Sequence, residues 1–157
     1  MKKIVKSLIA GVALTVMVGA VLAQSVGKPE DQIRWRQSAY QTMGWNMQRI
    51  KANIEGTYNK DQVVQAANVI QAIANSGMGV LYQPGTDKGK GWHDTHAKSE
   101  LFNDKDGVGK VAMAFNKEAN EMATVAAGGD SVAVKAQFGK LAESCKGCHE
   151  KFRKEEK

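Results

Sequence analysis

Cys145-Lys146-Gly147-Cys148-His149 lies near the end of the chain, inside a run where Phe138, Leu141, Cys145, Cys148, His149 and Phe152 recur at helical steps. The pattern is C-x-x-C-H, the attachment signature of c-type haem. The spacing has a chemical reason. Each thiol can add across one haem vinyl group, and the imidazole of the next residue reaches iron from the same side. A bare C-x-x-C also fits a redox dithiol, but that motif normally accompanies a βαβ pattern, and this sequence has none. It could form half of a zinc site, with His149 and either His93 or His96 completing about four ligands. A plain Cys145–Cys148 disulfide is the least demanding alternative. Haem is the reading that also accounts for the two features described next.

The first is an export signal. Lys2, Lys3 and Lys6 precede an uncharged apolar stretch from Leu8 to Leu22, and Val21-Leu22-Ala23 puts small residues at the −3 and −1 positions of a cleavage site. Residues 1–23 are therefore expected to be a cleaved secretory signal peptide, leaving residues 24–157 as the mature domain. An uncleaved anchor would need about 17–25 apolar residues, the lower limit of which this stretch only reaches. The segment carries three of the chain's 22 basic residues and none of its 16 acidic ones, so the formal charge falls from +6 to +3 once it is removed. The basicity is mostly a targeting feature. No clustered basic face suggests nucleic acid, and no other segment suggests a membrane span after signal cleavage. Export also matches the chemistry, since c-type haem is attached outside the cytoplasm.

The second is aromatic poverty. Only 6% of the 157 residues are aromatic, against 43% hydrophobic overall. Aliphatic side chains and alanine alone would make a thin core, and a large flat cofactor would supply the missing apolar area. With two cysteines the chain is no disulfide scaffold, and its length is that of one domain.

Working outward from the motif, three more helices are legible. Pro29-Glu30-Asp31 reads as a helix start, followed by Ile33, Tyr40, Met43, Met47, Ile50 and Ile54 and a stop at Gly56. Asn59 to Gln62 has capping-box spacing. Val63, Ala66, Ala67, Ile70, Ile73 and Ala74 then share a face up to Gly77. Phe102, Val108, Val111, Phe115, Ala119 and Met122 form a third stripe ending at Gly128-Gly129, with Asp130 as N-cap of the last helix. Residues 78–98, rich in glycine and holding Pro84, Trp92, His93 and His96, read as a long functional loop. No stretch alternates with period two. The expected fold is all-α, an antiparallel four-helix bundle with covalently bound haem.

Taken together, the chain resembles the cytochromes c′, the class II c-type cytochromes. The resemblance rests on the C-x-x-C-H near the C-terminus with Phe152-Arg153 after it. It rests also on Lys28-Pro29-Glu30-Asp31 with Arg36-Gln37-Ser38-Ala39, and on Pro84-Gly85-Thr86-Asp87. It covers essentially the whole mature chain and implies up-down-up-down topology. It implies one haem c per chain, held through Cys145 and Cys148, with His149 as the only protein ligand to a five-coordinate, high-spin iron. The opposite face would be closed to water yet admit NO and CO, with Tyr40 at the distal position.

The resemblance further implies that Arg36 pairs with a haem propionate and that Gln37 contacts the haem. It implies that Arg153, one turn after His149, flanks the proximal face. Thr95 opens the segment that resembles the family's haem edge, which departs here at Ser99 and Phe102 from the usual Pro and Ile-Trp. The location implied is the periplasm, and the function is not enzymatic but ligand binding, with electron transfer to an unknown redox partner. A homodimer through the first two helices is also implied, with Trp35 and Trp45 off the core stripe. The competing reading is a low-spin, six-coordinate electron carrier with a methionine ligand. Tyr40 stands where that methionine would be, although Met43 and Met47 lie one and two turns further along.

Overall fold

The computed structural model describes residues 27–155, so the expected signal segment and its cleavage site lie outside the described residues. Four long helices, α1 (Pro29–Glu55), α2 (Lys60–Ala74), α4 (Lys105–Gly128) and α5 (Ser131–Phe152), are joined by an irregular stretch that holds a 3-10 turn (Met78–Leu81) and one helical turn, α3 (Glu100–Asn103). The long helices form an up-down-up-down four-helix bundle. Among the described residues there is no strand, only two isolated bridges.

Local chemistry sets the helix ends. Pro29 opens α1 with Glu30 and Asp31 in its first turn, and Gly56 closes it. The Asn59 side chain accepts the Gln62 amide at 3.1 Å, and Asp130 accepts those of Val132 and Ala133. Such caps contribute about 1 kcal/mol each. Gly129 takes a left-handed φ of 80° to end α4, which a side chain would strain. One boundary differs from the sequence expectation. The stripe that begins at Phe102 is broken, because Asp104 accepts the Gly107 amide at 2.8 Å and starts α4 afresh. Phe102 therefore sits in α3, apart from the bundle stripe.

The core occupies one half of the bundle. Ile50, Val63, Ala66, Ala67, Ile70, Met122, Ala126, Val134 and Leu141 are buried together, from the end of α1, all of α2, the end of α4 and the first half of α5. Ala66 and Ala67 of α2 and Ala119, Ala123 and Ala126 of α4 are among the buried residues where these helices pack. Packing runs α1 on α2, α2 on α4 and α4 on α5, whereas α1 and α5 touch only sparsely. The half of the bundle between the start of α1 and the end of α5 has no comparable aliphatic cluster. The site is built there.

Candidate functional site

Two elements supply the facing side chains. From α5 come Cys145 and Cys148, both unbridged and half-buried, and His149 beside them. From α1 come Arg36 and Tyr40, one turn apart. The Tyr40 hydroxyl lies within electrostatic reach of the Cys148 and Cys145 sulfurs on α5 and of the Arg36 guanidinium. The sparse α1–α5 contact thus separates two rows of functional groups that still face each other.

Burial pushes both thiols above the usual cysteine range, Cys148 being raised further by Cys145. They are protonated at neutral pH, unlike the thiolates of redox dithiols. No three His, Cys, Asp or Glu side chains come together to hold a metal ion among the described residues, so a zinc site lacks its remaining ligands. His93 and His96 stand near each other, ring centroids 5.7 Å apart, on the loop. The His149 imidazole is held below its ordinary pKa, first by desolvation and then by Arg153. It is neutral at pH 7, the form in which histidine ligates metals.

The long loop closes the site from one side. Arg36 is buried, with 4% of its surface exposed. It donates to the Leu81 carbonyl at 3.2 Å, to Thr86 Oγ1 at 2.9 Å and to the Thr86 carbonyl at 2.7 Å. Three of its five N–H donors are engaged, which leaves two for a further acceptor. Burial lowers its pKa, and Tyr82 and Tyr40 act in the opposite sense. Gln37 Nε2 donates to the His93 carbonyl at 2.9 Å, and its Oε1 accepts the Trp92 amide at 2.7 Å. Trp92 Nε1 donates to Ser38 Oγ at 2.8 Å. At Gly91 the loop lies directly on α1, where a Cβ would stand 2.7 Å from the Arg34 amide nitrogen. The other end of the loop is tied to α5. The Lys98 amide donates to the Phe152 carbonyl at 2.9 Å, and that of Lys154 to the His96 carbonyl at 2.7 Å. The loop therefore spans from α1 to α5 and frames the space between them.

These bonds make Arg36 a staple as well as a site residue. Arg36→Met is expected to destabilise the haem-loaded protein by about 3 kcal/mol, because a charged donor is lost and buried acceptors are left unpaired. Urea unfolding followed by circular dichroism measures it.

The other expected residues fall as follows. Tyr40, read from sequence as part of the α1 stripe, keeps 46% of its surface exposed and lies outside the aliphatic core. Its hydroxyl bonds that of Tyr82. Thr95 is half-buried, and its Oγ1 accepts the Ala97 amide at 3.3 Å. Arg153 ends α5, pairs with Ala97 in a backbone bridge and lies within electrostatic reach of His149. Met43 is buried and Met47 packs on the core cluster.

Sequence reasoning missed Tyr82 and the buried Thr86 as partners of α1. Tyr82 stacks under the Arg36 guanidinium at 4.6 Å and against Phe102, with ring centroids 6.1 Å apart. Its signal was available: one of three tyrosines in an aromatic-poor chain, two residues before Pro84-Gly85.

Known proteins resemble this chain in sequence and fold. The family model described as Cytochrome C' matches residues 31–153. A cytochrome c' of Rhodocyclus tenuis is 61% identical over 130 residues, covering 82% of this chain and 98% of that one. The crystal structure of cytochrome c' from Thermochromatium tepidum superposes with a TM-score of 0.79 at 53% identity, over 82% of this chain and 98% of its own. A cytochrome c' described as having ligand-controlled dimer dissociation gives a TM-score of 0.80 at 55% identity, with the same coverage. More distant matches, at 27% identity, include cytochrome c prime variants of Alcaligenes xylosoxidans. One was solved with carbon monoxide and one as a nitric oxide complex, with TM-scores of 0.73 and 0.72. The facing thiols and tyrosine, the C-x-x-C-H on α5 and these matches converge: the chain belongs to the cytochrome c′ family, and its covalently held cofactor is haem c.

Proposed function

We propose that this protein is a periplasmic haem protein that binds NO and CO on the side of the haem opposite His149, its only protein ligand to iron. Haem c supplies a five-coordinate, high-spin iron with affinity for neutral diatomics, and it can also carry one electron. The chain's own residues do the rest. Cys145 and Cys148 would hold the group by two thioether bonds, and His149, on the same helix and held below its ordinary pKa by desolvation and by Arg153, would ligate the iron. Arg36 has two donors left for a propionate, and a guanidinium suits a carboxylate in geometry and charge. Gln37 and Thr95 fix the loop at the haem edge, and Arg153 flanks the His149 face. No helix among the described residues is long and apolar enough to cross a membrane. With the expected signal at residues 1–23, this fits an exported protein.

The observation that carries the reading is Tyr40. Its ring, not a methionine, stands opposite the thiols on α1. Met47 packs on the aliphatic core cluster and Met43 is buried one turn further along α1, so neither stands at the Tyr40 position where the low-spin carrier has its methionine. Among the described residues, the groups that act on the Tyr40 hydroxyl are Tyr82, Arg36, Cys145 and Cys148, with no carboxylate or imidazole to serve as a distal acid or base. That favours ligand binding over enzymatic turnover. The relatives solved with nitric oxide and carbon monoxide support the choice of ligands. Titrating the reduced protein with each gas tests it. A one-to-one spectral change supports the reading, and an unaltered spectrum rejects it.

The reading includes a homodimer through α1 and α2. Trp45 is 59% exposed and Trp35 44% exposed on α1, and the Arg49 guanidinium covers the Trp45 ring at 5.1 Å. Trp45→Ala is expected to weaken self-association about 30-fold, the effect of truncating an aromatic anchor at an interface. Sedimentation velocity across a dilution series checks it. A parent protein that stays at the monomer value throughout would remove the dimer from the account.

A further inference from the structure

Tyr40 and Tyr82 are unequally held. The Tyr82 ring packs against both the Arg36 guanidinium, at 4.6 Å, and Phe102, and the guanidinium also lies over the Phe102 ring at 6.0 Å, so the three form one cluster. Its backbone closes the 3-10 turn by donating to the Gly79 carbonyl at 3.2 Å, and the preceding carbonyl, Leu81, accepts from Arg36. Tyr40 lies outside the core cluster, on the side that faces the haem site, and its hydroxyl bonds that of Tyr82. The packed Tyr82 ring thus anchors the Tyr40 hydroxyl.

We propose that Tyr82 is a positioning residue for ligand entry: its hydroxyl latches the Tyr40 ring over the site, and a diatomic enters only when that bond breaks. The inference rests on the gas-binding reading above and names the residue that sets its barrier. A diatomic reaching the iron must displace the Tyr40 ring, and a ring that swings away leaves Tyr82 behind. Burial raises the pKa of both phenols, that of Tyr82 well above the ordinary value, so the hydroxyls stay protonated at neutral pH and the latch persists.

The test uses the reduced, haem-loaded protein and carbon monoxide. Association rates are measured by stopped flow for the parent, Tyr82→Phe, Tyr40→Phe and the double variant. Each single change removes one hydroxyl and keeps the ring. Each is expected to speed association about fivefold, the loss of one hydrogen bond. The double variant should be no faster than either, because both changes remove the same bond. Ultraviolet resonance Raman supplies a second readout. The hydroxyl-sensitive tyrosine bands should shift when either partner is removed, which a merely structural ring would not cause. Tyr82→Phe at the parental rate, or single effects that multiply in the double variant, would overturn the latch. Should Tyr82→Phe not load haem, Tyr40→Phe decides alone, since an unchanged rate there also overturns it. A parent protein that takes up no carbon monoxide rejects the gas-binding reading and the latch together. A parent that binds normally beside an unaltered Tyr82→Phe rejects the latch only.

Discussion

Changing Cys145 and Cys148 together to alanine is expected to abolish haem retention under denaturing conditions, from one haem per chain to none. The argument starts from the helix. The two residues lie three apart, so their side chains leave α5 on one face, and both are unbridged and half-buried toward α1. Burial pushes both thiols above the usual cysteine range, unlike the low-pKa thiolates of redox dithiols, and among the described residues no further ligands gather beside them for zinc. Either single alanine variant should keep haem through the remaining bond. Haem staining after a denaturing gel reads the result directly. A second consequence concerns the fold. α1 and α5 pack sparsely and the aliphatic core fills the other half of the bundle. Without the bound group, that half lacks its main apolar surface, so the double variant should also melt earlier and less cooperatively. Unaltered haem content in the double variant would contradict the assignment of these residues.

Tyr40→Ala is expected to speed carbon monoxide association by about 30-fold. Two costs disappear with the ring. One is the hydroxyl bond to Tyr82, about 1 kcal/mol. The other is the displacement of a large side chain from its rotamer, again about 1 kcal/mol. Together they correspond to about 30-fold in rate. Tyr82→Phe removes only the first, so its effect must be smaller. Flash photolysis of the carbonyl complex measures the rate. A rate equal to that of the parent would mean that the ring does not stand in the ligand's path.

The contrast between what local patterns reveal and what they hide follows from range. Asn59, Asp130, Gly56 and Gly129 act on their own turn, and the structure uses each at a helix end. Ile33, Ile50, Val63, Ile70 and Leu141 follow helical spacing and are buried. Asp104 was missed, although it caps in the same way, because the apolar run appeared to continue through it. Helical periodicity also misjudged Tyr40, since a stripe position facing a site looks the same in sequence as one facing a core. The partners of the buried polar residues of α1 were not legible. Arg36, which the resemblance names as a propionate partner, and Asn46 and Asn53 break the apolar stripe, and their burial depends on groups elsewhere in the chain. Asn53 accepts the Asn59 amide at 2.9 Å, and Arg36 holds Thr86, fifty residues on. Tyr82 belongs to this class too. Its role comes from a loop folding back on α1, and no period records that. The haem chemistry was legible for the opposite reason: five consecutive residues carry the C-x-x-C-H signature, with both proposed attachment points and the proposed iron ligand.

The central claim is an iron with one protein ligand and an open, tyrosine-guarded face. The most direct measurement is the electron paramagnetic resonance and absorption spectrum of the purified haem protein, ferric and ferrous, before and after nitric oxide. The account predicts a high-spin resting iron that converts when nitric oxide is added. A low-spin resting spectrum with a methionine-to-iron charge-transfer band would contradict it, and would make the protein a six-coordinate electron carrier with Met43 the first ligand to test.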